Sequence, residues 1–330
     1  LPSPAHARRL PDTRTHTPKQ TPTVATRRPA AGRPSQSRPT TTTTRTPPSL
    51  FLATDPSKRW AELFFLLYSP FWMVWALGIV VPFRMYERFG RWGYAAVGLA
   101  AAVPCVVLPL LSPGSADTAL PLTSRFWVKA TAYVATFSFI GNWFWTHYFY
   151  ELLGAAYTLP SHDWNRVPVC MYLLTHAYFC FYHALGNLLQ RGARRAAVRA
   201  GWGGKGACIA QAATVLALSY ATAWGETATI AHFPHYRFAD RARMYRVGSL
   251  FYALYFFVSF PVFLALDGEE EEGEEEGKAK GGGRKSTVWS SFCAALAAGM
   301  AVTILLDAWR VAFGGIAPVG RGAMRRPHPE

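Results

Sequence analysis

The chain has 330 residues, of which 51% are hydrophobic and 15% aromatic but only 16% charged, a composition that excludes a largely water-exposed fold and points to a membrane protein. The formal net charge of +15 does not argue for nucleic-acid binding. Much of the excess sits in an N-terminal stretch rich in Arg, Pro, Ser and Thr, where Asp12 is the only acidic residue before Asp55, so the charge is local.

Residues 1–53 lack an apolar period, and runs such as Thr40-Thr41-Thr42-Thr43-Thr44 cannot repay the entropy of folding, so a disordered basic tail is expected. Its acid-poor composition fits a plain extension first and an organelle transit peptide second. At Asp55-Pro56-Ser57 the pattern changes, offering an N-cap followed by proline at the first helical position. Apolar runs long enough to cross a bilayer follow at about 60–81, 93–111, 126–153, 167–190, 207–232, 247–266 and 288–313, so the expectation is an all-α, polytopic transmembrane bundle of about seven spans. Pro104 and Pro109 weaken the second run and small residues the last. The membrane domain is read as 54–318, with a solvated Glu-rich loop at 267–287 and a C-terminal tail at 319–330. Lys58 and Arg59 tip the orientation toward a cytosolic N-terminus. Cys105, Cys170, Cys180, Cys208 and Cys293 show no C-x-x-C spacing and read as buried reduced thiols.

Titratable groups inside apolar runs are the candidates for chemistry. In Gly141-to-Glu151, helical spacing puts Trp143, His147 and Glu151 on one face, with His147 and Glu151 four residues apart and able to hydrogen bond. Trp145 and Tyr148 lie in the same stretch. The bland reading is an aromatic belt at the headgroups. His176 and His183, seven apart with Tyr172 and Tyr182 nearby, read first as satisfied bundle histidines. Glu226 lies among small and apolar neighbours from Ser219 to Ala231. Desolvation disfavours a charge there, which makes Glu226 the first choice of proton donor over a purely structural carboxyl. Asp240, Tyr245 and Arg246 belong to the polar stretch Phe233-to-Gly248 between two apolar runs. Asp307 and Arg310, three apart, read as an internal ion pair. There is no H-x-x-x-H cluster, Walker loop or G-x-S-x-G, and no G-x-G-x-x-G that follows a strand, so neither a metal nor a nucleotide cofactor is expected.

These residues resemble the cycloeucalenol cycloisomerase family, the cyclopropylsterol isomerases of sterol synthesis. The likeness lies in Asp55-Pro56-Ser57-Lys58-Arg59-Trp60-Ala61-Glu62-Leu63-Phe64-Phe65, in Gly141-to-Glu151 continuing through Leu153-Gly154-Ala155-Ala156-Tyr157-Thr158, and in Leu216-to-Tyr220. It continues in Glu226-Thr227, Phe233-Pro234, Asp240-Arg241, Met244-Tyr245-Arg246-Val247-Gly248 and Val258-Ser259-Phe260-Pro261. The N-terminal extension and the Glu-rich insert depart from the family pattern.

The resemblance implies a cofactor-free isomerase of the endoplasmic reticulum membrane that opens the cyclopropane ring of cycloeucalenol to give obtusifoliol. An acid would protonate the ring and a base would remove a neighbouring proton. On position and chemistry, Glu226 is then the donor and His147 with Glu151 the base. Trp143, Trp145 and Tyr148 line a cation pocket, His176 and His183 approach the sterol, and Asp240, Tyr245 and Arg246 anchor its hydroxyl. The competing class is a non-catalytic sterol carrier or small-molecule transporter, although the two halves show no inverted repeat.

Overall fold

The computed structural model describes residues 49–268 and 285–314. The expectations for the basic tail up to residue 48, for the Glu-rich run and for the C-terminal tail lie outside the described residues. Those described are mostly helical: α1 Pro56–Val80, α2 Arg91–Leu111, α3 Phe126–Ile140, α4 Thr146–Leu153, α5 Val169–Arg199, α6 Gly203–Ile230, α7 Arg241–Leu264 and α8 Val288–Phe313. A π-helical turn, Gly141–Trp145, joins α3 to α4 into one rod, and a second, Met244–Gly248, lies inside α7. Four two-residue strands complete the fold: β1 Ala156–Tyr157, β2 Asp163–Trp164, β3 Val167–Pro168 and β4 Tyr236–Arg237.

The rods follow the expected runs closely, but five rather than seven, α1, α2, α6, α7 and α8, are long and apolar enough to cross a membrane by length and composition. The α3–α4 rod and α5 are not among them, for a physical reason. α5 packs against α1, α2, α3, α6 and α7 and carries His176, His183, Asn187, Gln190 and Arg191 buried against its neighbours. A helix wrapped in protein needs no hydrocarbon surface, and its polar groups find partners there.

The helix starts are written in the sequence. The Asp55 side chain accepts a hydrogen bond from the Lys58 amide at 2.8 Å, with Pro56 at the first helical position. Burial acts to raise the Asp55 carboxyl, but its bonds to Lys285 and to the Lys58 amide outweigh that and hold it below its ordinary value. At α8, Thr287 and Ser290 form a reciprocal capping box. Pro104 and Pro109 sit inside α2 without ending it.

Successive rods run antiparallel, with the start of α1 and of α3 meeting the end of α7. At the first end, where α1, α3, α6 and α8 begin, buried charges are closed on one another. Arg191 meets Glu62 at 2.9 Å with Asn187 donating to the same carboxylate at 2.7 Å, and Lys129 meets Asp267 at 2.7 Å. The Lys58 ammonium donates to the Leu264 and Leu266 carbonyls, 2.7 Å each. Lys58 is therefore not the surface charge used to orient the chain but a fully buried cap on the end of α7. Asp267 also exchanges hydrogen bonds with Ser286.

All five cysteines are free. Cys105, Cys170 and Cys180 are buried as expected, whereas Cys208 is exposed and Cys293 partly so, because they lie on outward faces of α6 and α8. At the second end β1 pairs with β4 and β2 with β3, both antiparallel.

Candidate functional site

Glu226 lies in the last two turns of α6, flanked by Gly225 and Ala228 with Ala223 one turn earlier, small residues that let neighbouring helices come close. Its half-buried carboxyl accepts a hydrogen bond at Oε2 from the Tyr252 hydroxyl of α7 at 2.7 Å. Tyr178 of α5 lines the same cavity as Glu226 and Tyr252, so helices from both sides converge on one carboxyl.

Beside it is a cavity of about 60 Å³ lined by Tyr157, Tyr178, Tyr236, Tyr252 and Tyr255, by Phe149, Phe179, Ile230 and Met244, and by Gly141, Asn142, Thr146, Thr175 and Thr227. Glu226 is the sole carboxyl or imidazole among these lining residues. Thr175 Oγ1 and the Tyr178 hydroxyl pair at 2.9 Å. Tyr157 and Tyr236, brought together by the β1–β4 pairing, stack at 4.6 Å. Burial pushes both of these phenols above the ordinary tyrosine value, so they stay as neutral O–H groups.

Two of the three π-helical segments among the described residues contribute walls, Gly141 and Asn142 from one and Met244 from another, whereas the third, Val74–Val80 at the end of α1, does not. Such turns shift side chains out of the ordinary helical register and recur at functional sites. Gly248 leaves room for the Met244 sulfur, which a Cβ there would displace. The result is one acid–base group among π faces and hydrocarbon. It can exchange a proton with an apolar ligand and hold a developing cation against aromatic rings. Among the described residues no group of three or more His, Cys, Asp or Glu side chains is placed to hold a metal ion.

The curated cycloeucalenol cycloisomerase of Arabidopsis thaliana is 46% identical over 279 residues, which is 83% of this chain and 93% of that protein. The chain belongs to the cycloeucalenol cycloisomerase family. No protein-family model matches it, and no solved structure does.

For this member of the cycloeucalenol cycloisomerase family, the structure distributes the sequence-derived candidates unevenly. Glu226 reaches the cavity. His147 and Glu151 do not line it and are not hydrogen bonded to one another: His147 Nε2 is buried without a partner, its ring set edge-on to Tyr150, and Glu151 is exposed. Trp143 stacks on Phe139 at 5.6 Å. Trp145 is fully buried behind the wall, 4.4 Å from the Tyr255 ring, with its indole N–H donating to Thr303. Tyr148 donates to Asp307, which forms the anticipated pair with Arg310 at 2.9 Å.

His183 donates through Nδ1 to the Phe179 carbonyl at 2.8 Å, so Nε2 accepts from Ser259 at 3.0 Å. That satisfies both of its nitrogens. His176 is buried with Nε2 3.8 Å from the Cys180 sulfur. Asp240 is exposed and caps the start of α7 by accepting from the Arg243 amide at 2.9 Å. Tyr245 packs beside Trp224, and Arg246 is exposed. The stretch Phe233-to-Gly248 reaches the cavity through Tyr236 and Met244 instead.

Sequence reasoning missed Tyr157, Tyr178, Tyr236, Tyr252 and Tyr255 as wall residues. Part of the signal was present, because Tyr178 with Tyr182 and Tyr252 with Tyr255 recur at helical spacing within apolar runs.

Proposed function

We propose that this protein opens the cyclopropane ring of cycloeucalenol to give obtusifoliol, with Glu226 moving the proton. The observation that carries this reading is a lone carboxyl, held by Tyr252, in a cavity otherwise built of phenols, rings and aliphatic groups. Substrate and product are isomers, so the chemistry needs one proton delivered and one removed.

In the first step the Glu226 O–H gives its proton to the ring methylene. The electron pair of the breaking ring C–C bond forms the new C–H bond, leaving a tertiary cation at the ring junction. In the second step a C–H bond beside the cation breaks, its electrons form the alkene, and the proton leaves to a base. His147 and Glu151 do not line the cavity, and the carboxylate just formed on Glu226 is the base nearest the cation, so we assign both transfers to Glu226. The Tyr252 hydroxyl stabilises that carboxylate between the steps. Rings of Phe149, Phe179 and the tyrosines face the cation.

Sites for ligands of this size measure roughly 300–1,000 Å³, so the cavity must widen to admit a sterol. The wall carried by β4 and the Met244–Gly248 turn is the one we assign to move. All seven rods cross the membrane in this reading, which is supported by the pairing of β1, between α4 and α5, with β4, between α6 and α7. We place the protein in the endoplasmic reticulum membrane, a placement checked by co-fractionation with markers of that compartment.

Membranes bearing the protein, incubated with cycloeucalenol in deuterated water, are expected to yield obtusifoliol carrying deuterium in the new methyl group. Glu226→Gln at equal protein is expected to lose turnover. Unchanged sterol with the parent protein, while a known isomerase turns over in parallel, would make it a carrier.

A further inference from the structure

We infer that Tyr255 binds the hydroxyl of the sterol substrate, an assignment that rests on the isomerase reading of the Glu226 site and adds the group that sets the substrate's register. Tyr255 lines the cavity and is 4% exposed, and its hydroxyl is buried with no hydrogen-bond partner. No other lining residue has a buried side-chain polar atom left without a partner, among the described residues. A buried unpaired hydroxyl disfavours the folded state, so its retention at the wall of a ligand cavity points to a partner the ligand brings.

A sterol brings one hydrogen-bonding group, its hydroxyl, and presents hydrocarbon everywhere else. The Tyr255 ring is held by three others, Trp145 at 4.4 Å, Tyr252 at 4.8 Å and Phe149 at 6.2 Å. Trp145 is itself tied to Thr303 of α8 by its indole N–H. The phenol oxygen is therefore fixed in position, and a bond to it locates the ligand rather than merely retaining it.

Tyr252, which holds Glu226, and Tyr255 are three residues apart on α7, an axial separation of about 4.5 Å. That is the order of one six-membered ring, the spacing needed to hold a sterol by its hydroxyl while its cyclopropane meets the acid. The sterol's polar end then lies deeper in the bundle than the acid. The exposed Asp240 and Arg246 at the start of α7 are not its anchor.

The test compares cycloeucalenol with its analogue carrying hydrogen in place of the hydroxyl, on the parent protein and on Tyr255→Phe, in membranes. The parent is expected to favour the hydroxylated sterol in kcat/KM by about tenfold or more, the size of one lost hydrogen bond with its partner left buried. Tyr255→Phe is expected to bring that ratio close to one while turning over the deoxy analogue at least as well as the parent. Because the hydroxyl is buried with no protein partner, the variant's unfolding temperature in detergent is expected to equal or exceed the parent's. A ratio unchanged by Tyr255→Phe overturns the assignment. So does a parent protein that treats the two sterols alike, a measurement that needs no variant. An inactive parent in the deuterium assay would instead sink the isomerase reading itself.

Discussion

Glu226 differs from the ion-paired carboxylates Glu62, Asp267 and Asp307 in what faces it. Glu62 meets Arg191, Asp267 meets Lys129 and Asp307 meets Arg310, whereas Glu226 meets the phenol of Tyr252. A guanidinium or ammonium fixes a carboxylate in its charged form, while a phenol supports either form and so leaves the proton transferable. Tyr252→Phe is accordingly expected to lower kcat by about tenfold, the size of one hydrogen bond to a charged group, with KM little changed. An unchanged kcat in the deuterium assay would show that Tyr252 does not act on the carboxyl. Glu226 was legible in the sequence because a lone carboxyl in an apolar run has few roles. The tyrosines around it were not, because a phenol facing a cavity and one at the headgroups look alike until the packing of α5 against α6 and α7 is known. For His147 and Glu151 the spacing permits a hydrogen bond, but the rod's rotation leaves Glu151 exposed and His147 edge-on to Tyr150.

At the scale of elements, the two ends of the bundle divide the work. The first end is locked by Glu62, Arg191, Asn187, Lys129 and Asp267, and the second carries the cavity. Glu62→Gln leaves Arg191 as a buried charge without its counter-ion, a change that costs about 3–5 kcal/mol. It is expected to lower the unfolding temperature in detergent while leaving KM for the sterol unchanged in the protein that remains folded. A shifted KM with normal stability would place this pair in the site. Asp55 supplies a milder case with a pH sign. Its folded-state value is depressed by Lys285 and the Lys58 amide, so its stabilising effect is present above 3.8, its ordinary value, and is lost as pH falls through the lower folded value. Asp55→Asn keeps a capping oxygen and loses the charge, so it is expected to flatten this acid limb of the stability profile. Asp55→Ala loses both, with a further cost of about 1 kcal/mol. Equal unfolding temperatures for the two variants would count against the cap. Both the cap and the lengths of the rods were readable beforehand. The buried ion pairs were not, since Lys58 beside Arg59 carries the same local pattern as a surface charge.

For the whole molecule the short sheet bears on how many rods cross the bilayer. If α3–α4 and α5 failed to cross, residues 154–168 would sit on the side where α3 begins, away from residues 231–240. Yet Ala156 is registered with Arg237 and Tyr157 with Tyr236, and the Tyr157–Tyr236 stack is part of the cavity wall. The site itself therefore requires the α3–α5 hairpin to run the full depth of the bundle, whatever the mean hydropathy of its two rods. Polar and aromatic side chains lower that hydropathy because they face protein, and α5 in particular is wrapped by five neighbours. Single cysteines at Thr158, Arg237 and Ala200, all exposed, introduced with Cys208 and Cys293 replaced by Ser, read this directly with a membrane-impermeant maleimide on sealed vesicles. Thr158→Cys and Arg237→Cys are expected to react from the same side, and Ala200→Cys only from the other. If Thr158→Cys and Ala200→Cys shared a side, α5 would not cross, Tyr178 would be parted from Glu226, and the proposed proton-transfer site would come apart with the topology.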